Sequence, residues 1–310
     1  MVKDSLFFAK ILLFGEYGII KDSKGLSIPY NFFRGTLKLA QEITPAVAAS
    51  HQSLCDYAKY LRGLSPELLR LDWDRLQADL DHDLYFDSSI PQGYGVGSSG
   101  ALVAAFYDRY ALDKLTPEQV MTPQNLKKLK SVFAAMESYF HGQSSGLDPL
   151  NSYLSLPLLI HSKDSIETIG IPAQNPKGKG AVFLLDSGSV GSTAPMVSLF
   201  MENMKEEAFS KMMREEFTHI TDRCVDNFLK GHFKSLFGNI KTLSTLVLKY
   251  FKPMIPGEFH ELWKKGLETN AYYLKLCGSG GGGYMLGFTQ DFSAAQEALE
   301  GHRLEVVYHF

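Results

Sequence analysis

Two carboxylates stand eleven residues apart in ESYFHGQSSGLDPLN, at Glu137 and Asp148. Leu126, Leu129, Phe133, Met136 and Phe140 recur at helical spacing, and Glu137 falls on or beside that apolar stripe. A carboxylate there is costly unless it is paired or binds a cation. A glutamate at the border of a helix beside a Lys or Arg would answer the same need. Asp148 lies in a Ser/Gly loop, where an Asp serves as a turn former or cap. Lys10 opens the otherwise apolar KILLF. It reads either as a strand-edge lysine with a solvated head or as a charge held beside an acid or a phosphate.

Two glycine-rich segments complete the set. PQGYGVGSSGA at 91–101 has glycines at 93, 95, 97 and 100, then two serines, before a helical pattern starts. Glycines let a ligand approach the backbone, and a helix N-terminus offers free N–H groups and partial positive charge, which suits a phosphate. A tight turn with a serine N-cap is the plainer alternative. The segment lacks G-x-x-x-x-G-K-[ST], and it lacks G-x-G-x-x-G in a dinucleotide-binding setting. A nicotinamide-binding oxidoreductase would also need an acidic residue about 20 positions on. The second run, GSGGGG at 278–283, lies between Leu276 and an apolar strand. Its apolar flanks argue against a free linker and for a backbone that meets a ligand.

The elements that must position these groups alternate. Strands are expected at residues 5–14, 28–39, 84–89, 181–186 and 304–310. Helices are expected over 44–64, after the first glycine loop with Leu102, Val103, Phe106 and Tyr110 on one face, over 124–140 and around 294–300. Residues 145–160 read as a loop followed by an apolar stretch, and 196–274 as mostly helical with breaks near Gly231, Gly238 and Pro253. A composition shift at 187–196 marks a domain boundary. The class is α+β.

The chain has 310 residues, 45% hydrophobic and 21% charged, with a formal net charge of -3. That excludes a strongly basic nucleic-acid surface. Its three cysteines, Cys55, Cys224 and Cys277, form no metal or disulfide spacing. The first apolar run is broken by Lys10 and Glu16 and makes a poor signal peptide, and no run reaches membrane-spanning length. A cytoplasmic protein without nucleic-acid or membrane partners is expected. Its oligomeric state is open, a homodimer included.

The order of the motifs carries more than each alone. Lys10 with Gly15-Glu16-Tyr17, then P-x-x-x-G-x-G-S-S, then a G-x-G-G-G-G run resembles the three signatures of the GHMP kinases. The nearest likeness is to mevalonate kinases: residues 137–148 resemble E-x-x-x-H-G-x-P-S-G-x-D. KLCGSGGGG resembles K-L-T-G-A-G-G-G-G, and KILLFGEYG resembles K-V-I-L-F-G-E-H-A. The resemblance implies a two-domain fold: an N-terminal, ribosomal protein S5 domain 2-like domain over 1–190 and a ferredoxin-like domain over 191–310, with ATP in the cleft.

It also implies roles. Asp148 would be the catalytic carboxylate, with Lys10 beside it offsetting charge on the transferring phosphoryl. Gly93, Gly95, Val96, Gly97, Ser98, Ser99 and Gly100 would wrap the ATP phosphates. Ser99 and Glu137 would hold Mg²⁺. Tyr17, His141, Thr193, Gly280 and Gly281 would face the small-molecule substrate, mevalonate first. Another metabolite, a sugar, homoserine or phosphomevalonate, is the alternative, and a non-catalytic sensor a further one. The chain departs from the mevalonate kinase pattern at Tyr17 for His, Gly100 for Ala, Ser144 for Pro, Pro149 for Asn and Gly191 for Arg. His141, Lys163 or Arg34 could supply the cation that Gly191 does not.

Overall fold

The computed structural model describes residues 5–162 and 165–310. Its strands are β1 (Phe7–Phe14), β2 (Gly25–Leu39), β3 (Leu84–Ser88), β4 (Leu158–Ser162), β5 (Ser165–Thr168), β6 (Ala181–Asp186), β7 (Tyr273–Leu276), β8 (Tyr284–Thr289) and β9 (Leu304–His309). Its α-helices are α1 (Pro45–Leu61), α2 (Trp73–Leu80), α3 (Ser98–Tyr110), α4 (Pro117–Val120), α5 (Pro123–His141), α6 (Leu147–Leu154), α7 (Thr193–Asn203), α8 (Glu207–Met212), α9 (Thr218–Leu229), α10 (Phe233–Tyr250), α11 (His260–Thr269) and α12 (Phe292–Ala298). One sheet runs β1-β2-β4-β5 with β3 also on β2, and the other runs β7-β8-β6-β9. No helix among the described residues is long and apolar enough to cross a membrane.

The chain divides into two units. The first holds residues up to Lys10, Ile28–Pro91 and Gly97–Leu156. The second holds Ile11–Ser27, Gln92–Val96 and Pro157–Phe310. In the first, the end of β2 pairs antiparallel with β3, Gly35 opposite Ser88 and Leu39 opposite Leu84. Thr44 caps α1 by accepting from the Val47 N–H, and Thr122 caps α5 from Asn125, each with Pro at the helix start. The apolar stripe expected on α5 is buried at Leu126, Leu129, Phe133 and Met136, and Glu137 is buried with it.

In the second unit β6 is central, antiparallel to β8 on one side and to β9 on the other. The helices α7 to α11 connect β6 to β7, and α12 connects β8 to β9, the split βαβ arrangement of a ferredoxin-like domain. This moves the division from its expected place. A boundary at 190/191 would cut β6 from the sheet whose centre it forms, so residues 157–190 go with the C-terminal part.

Other differences are local. Gly238 does not break a helix: it lies inside α10, where the buried Leu236, Phe237, Ile240 and Leu243 hold the helix through it. The expected helical stretch ends before Tyr273, because β7 occupies residues 273–276. The apolar stretch after Asp148 is two elements, α6 and β4, separated by Ser155 in the left-handed region at φ 51°.

Candidate active site

Within the first unit Lys10, Gly97, Ser99, Gly100, Glu137, His141 and Asp148 come together. Lys10 is on β1 and 5% exposed. Its ammonium is 2.9 Å from the Asp148 carboxylate, whose side chain is 34% exposed. Asp148 sits in the first turn of α6, where the helix dipole favours an anion. Gly146 caps that helix at φ 72°, and a Cβ there would stand 2.2 Å from the Lys130 carbonyl oxygen of α5. The start of α6 is thus pressed against α5, which carries Glu137.

Gly97 caps α3 in the left-handed region at φ 82° with no side-chain bond to the helix end. The plainer alternative, a serine N-cap, does not hold: Ser98 and Ser99 are the first two helical residues. The opening N–H groups of α3 have no intrahelical carbonyl to bond. A Cβ on Gly97 would meet the Lys10 side chain at 2.9 Å. The Lys10–Asp148 pair therefore lies directly against the mouth of α3.

Glu137 is 3% exposed. Ser99 donates to its Oε1 at 3.0 Å, and Ser144 donates to its Oε2. Burial, then the nearby Asp148 charge, pushes its carboxyl up to about 7, against the pull of both serines and Lys10. His141 Nε2 lies 3.1 Å from Ser99 Oγ, and burial lowers its imidazole from the usual range.

The second unit holds the other glycine segment. Gly93, Gly95 and Val96 belong here, and Gly97 to Gly100 belong to the first unit. A Cβ on Gly95 would stand 2.3 Å from the Cys277 carbonyl oxygen, and one on Gly278 would stand 2.9 Å from Gly95 Cα. The close approach that these glycines permit here is backbone to backbone. Gly280 and Gly281 follow Ser279 with φ near 78° and 77°, and the Gly281 N–H donates to the Met254 carbonyl. Thr193 opens α7 and accepts from Ser279 Oγ at 3.4 Å.

Tyr17 is 7% exposed and donates its hydroxyl to the Ser279 carbonyl at 2.7 Å. Its φ of 60° is rare for a side chain of this size, and Phe200 and Phe251 hold its ring at 4.7 and 5.6 Å. A Cβ on Gly191 would meet the Gly280 and Gly282 carbonyls at 3.0 and 3.2 Å. Arg34 is exposed on β2, and Lys163 lies outside the described residues.

Residues 67–155 match the family model described as GHMP kinases N terminal domain. The fold is a GHMP kinase fold. No curated protein matches the sequence. Among solved structures, L. major mevalonate kinase in complex with R-mevalonate is similar at 17% identity and TM-score 0.67, over 97% of this chain and 91% of that one. Lactococcus lactis galactokinase complexed with galactose is similar at 12% identity and TM-score 0.64, over 99% and 94%. Streptococcus pneumoniae phosphomevalonate kinase in complex with phosphomevalonate and AMPPNP is similar at 13% identity and TM-score 0.61, over 99% and 100%.

On this GHMP kinase fold the donor set suits a hard cation. Glu137, Ser99 and, one ion pair away, Asp148 present oxygens only. No cluster of three or more His, Cys, Asp or Glu side chains able to hold a metal exists among the described residues. Glu137 and Ser99 are the residues that would hold such an ion, Mg²⁺ being one that takes few protein oxygens.

Two predictions follow from packing and charge. Free glutamate titrates near 4.5, so the native state holds an extra proton up to about pH 7. Stability therefore falls as pH rises through that window and stays lowered above it. In the metal-free protein Glu137→Gln should raise stability at pH 8 by roughly 1–3 kcal/mol and add nothing near pH 4. Parallel stability–pH curves for variant and wild type would contradict the buried-anion account.

Gly100 faces α6: a Cβ there would stand 2.7 Å from the Asp148 carbonyl carbon and 2.8 Å from Pro149 N. Gly100→Ala should therefore displace Asp148 despite the better helix propensity of Ala. An overpacking cost of about 1–3 kcal/mol exceeds a propensity gain of about 1 kcal/mol. Thermal melts should show a net loss. A variant more stable than wild type would mean that α6 yields without cost.

Proposed function

We propose that the chain is an ATP-dependent kinase that phosphorylates the hydroxyl of a small molecule, with Mg²⁺ as the nucleotide's counterion. Mevalonate is the first acceptor, which would place the reaction in isoprenoid precursor synthesis in the cytoplasm. The observation that carries this reading is the Lys10–Asp148 pair, 2.9 Å apart, set against the uncapped start of α3. Phosphoryl transfer asks mainly for positioning and charge neutralisation.

The residues divide that work. The N–H groups opening α3 bind phosphate oxygens. Asp148 orients the acceptor hydroxyl and takes its proton as the oxygen attacks the γ-phosphorus and ADP departs. Lys10 fixes the Asp148 carboxylate and adds positive charge beside the transferring group. Glu137 and Ser99 would hold the Mg²⁺, which when bound neutralises the β- and γ-phosphate charge.

The wider acceptor class draws support from two features. The Tyr17 hydroxyl is committed to Ser279, and a side chain in place of Gly191 would crowd the Gly280 and Gly282 carbonyls. A sugar, homoserine or phosphomevalonate is the second reading. ADP release with MgATP should be measured against mevalonate, phosphomevalonate, homoserine and galactose. Turnover with mevalonate alone supports the first reading, and turnover with another acceptor keeps the mechanism and replaces the substrate. Tight MgATP binding without turnover on an extended panel would favour a sensor.

A further inference from the structure

Ser144 has no part in the roles above, yet it touches one of their carriers. Each oxygen of the buried Glu137 carboxylate accepts from a serine hydroxyl, Oε1 from Ser99 and Oε2 from Ser144. Ser144 has one hydroxyl proton, and it goes to Glu137. The same oxygen accepts the Gly146 N–H at 3.0 Å. Gly146 is the cap of α6, and Asp148 lies two residues on. One side chain thus links the Glu137 carboxylate on α5 to the turn that launches Asp148.

We propose that Ser144 is a positioning residue for the metal site: its hydroxyl fixes the Glu137 carboxylate and its oxygen fixes the turn before Asp148. The inference rests on the Mg²⁺-holding role of Glu137 proposed above. A carboxylate buried in an apolar stripe keeps its charge only where donors replace the water it has lost. With Oε2 held by Ser144, the carboxylate cannot rotate about its last torsion, and Oε1 is presented with Ser99 in one orientation. Partners of this kind change metal affinity by about 10–100-fold when removed. A proline at this position, as in the pattern the segment resembles, has no hydroxyl to donate, so this device belongs to the residue found in this chain.

The test is Mn²⁺ binding to the full chain with AMPPNP, read by electron paramagnetic resonance, for wild type, Ser144→Ala and Ser144→Thr. Ser144→Ala should weaken Mn²⁺ binding by about 10–100-fold. Turnover at saturating metal should fall far less, and Ser144→Thr, which keeps the hydroxyl, should bind nearly as wild type. Unchanged Mn²⁺ binding in a folded Ser144→Ala protein would overturn the proposal. So would a loss that Ser144→Thr shares in full. Amide exchange at Gly146 in the nucleotide-free protein separates this failure from that of the kinase reading. If wild type itself binds no Mn²⁺ with AMPPNP, the metal role of Glu137 falls, and the link to the Asp148 turn stands or falls on faster Gly146 exchange in Ser144→Ala.

Discussion

Asp148→Asn is expected to lower kcat by about 10²–10⁴-fold while MgATP affinity stays within a few-fold of wild type. On the proposed mechanism the Asp148 carboxylate accepts the proton of the acceptor hydroxyl, and asparagine cannot. The substitution keeps shape and an acceptor oxygen, so the buried Lys10 ammonium retains a dipole 2.9 Å away in place of an anion. The protein should fold. Lys10→Met gives the complementary case. It removes the charge that the proposed mechanism sets beside the transferring group but leaves Asp148, with about a third of its side chain exposed, in contact with water. Its kcat should fall too, with little loss of stability. ADP release at saturating acceptor, with a nucleotide titration beside it, measures both effects. Full activity in Asp148→Asn would remove Asp148 from the chemistry and leave the Lys10 pair a structural one.

Much of this arrangement was legible in the sequence because it follows from local patterns. Glu137 stood out because a carboxylate on the stripe of Leu126, Leu129, Phe133 and Met136 needs a reason, and the structure places two serine donors there against the burial that pushes its carboxyl up. The start of α3 was legible from Gly97 followed by a helical pattern. What was not legible depends on contacts that no local period encodes. Ser144 looked like a mere replacement for proline, because only the folded turn brings its hydroxyl to Glu137. The place of the His141 ring nitrogen beside Ser99 was not legible either. Nor was that of the Tyr17 hydroxyl, which spans 262 positions of sequence to reach Ser279. The place of β6 at the centre of the second sheet likewise comes from pairing with strands about 100 residues on, which composition near residue 190 does not reveal.

The pair that sequence reasoning passed over entirely gives the largest expected loss of stability. Lys275 Nζ lies 2.6 Å from Glu16 Oε1, and both side chains are about 5% exposed. Lys275 also donates to the Leu276 carbonyl at 2.8 Å. The pair joins the segment after β1 to β7, which feeds the glycine run. Lys275→Met should destabilise the protein by about 3–5 kcal/mol, because it takes the Lys275 ammonium from an interior carboxylate. The double variant Glu16→Gln, Lys275→Met should recover most of that loss, since taking out both charges removes the desolvation cost along with the attraction. Denaturant unfolding of wild type, the single variant and the double variant measures this. A cavity of about 10 Å³ adjoins the pair, lined also by Tyr17, Thr221 and Phe251. Were Lys275→Met to unfold with the wild type, water entering there would be solvating Glu16. The ion pair would then contribute orientation of β7 rather than stability.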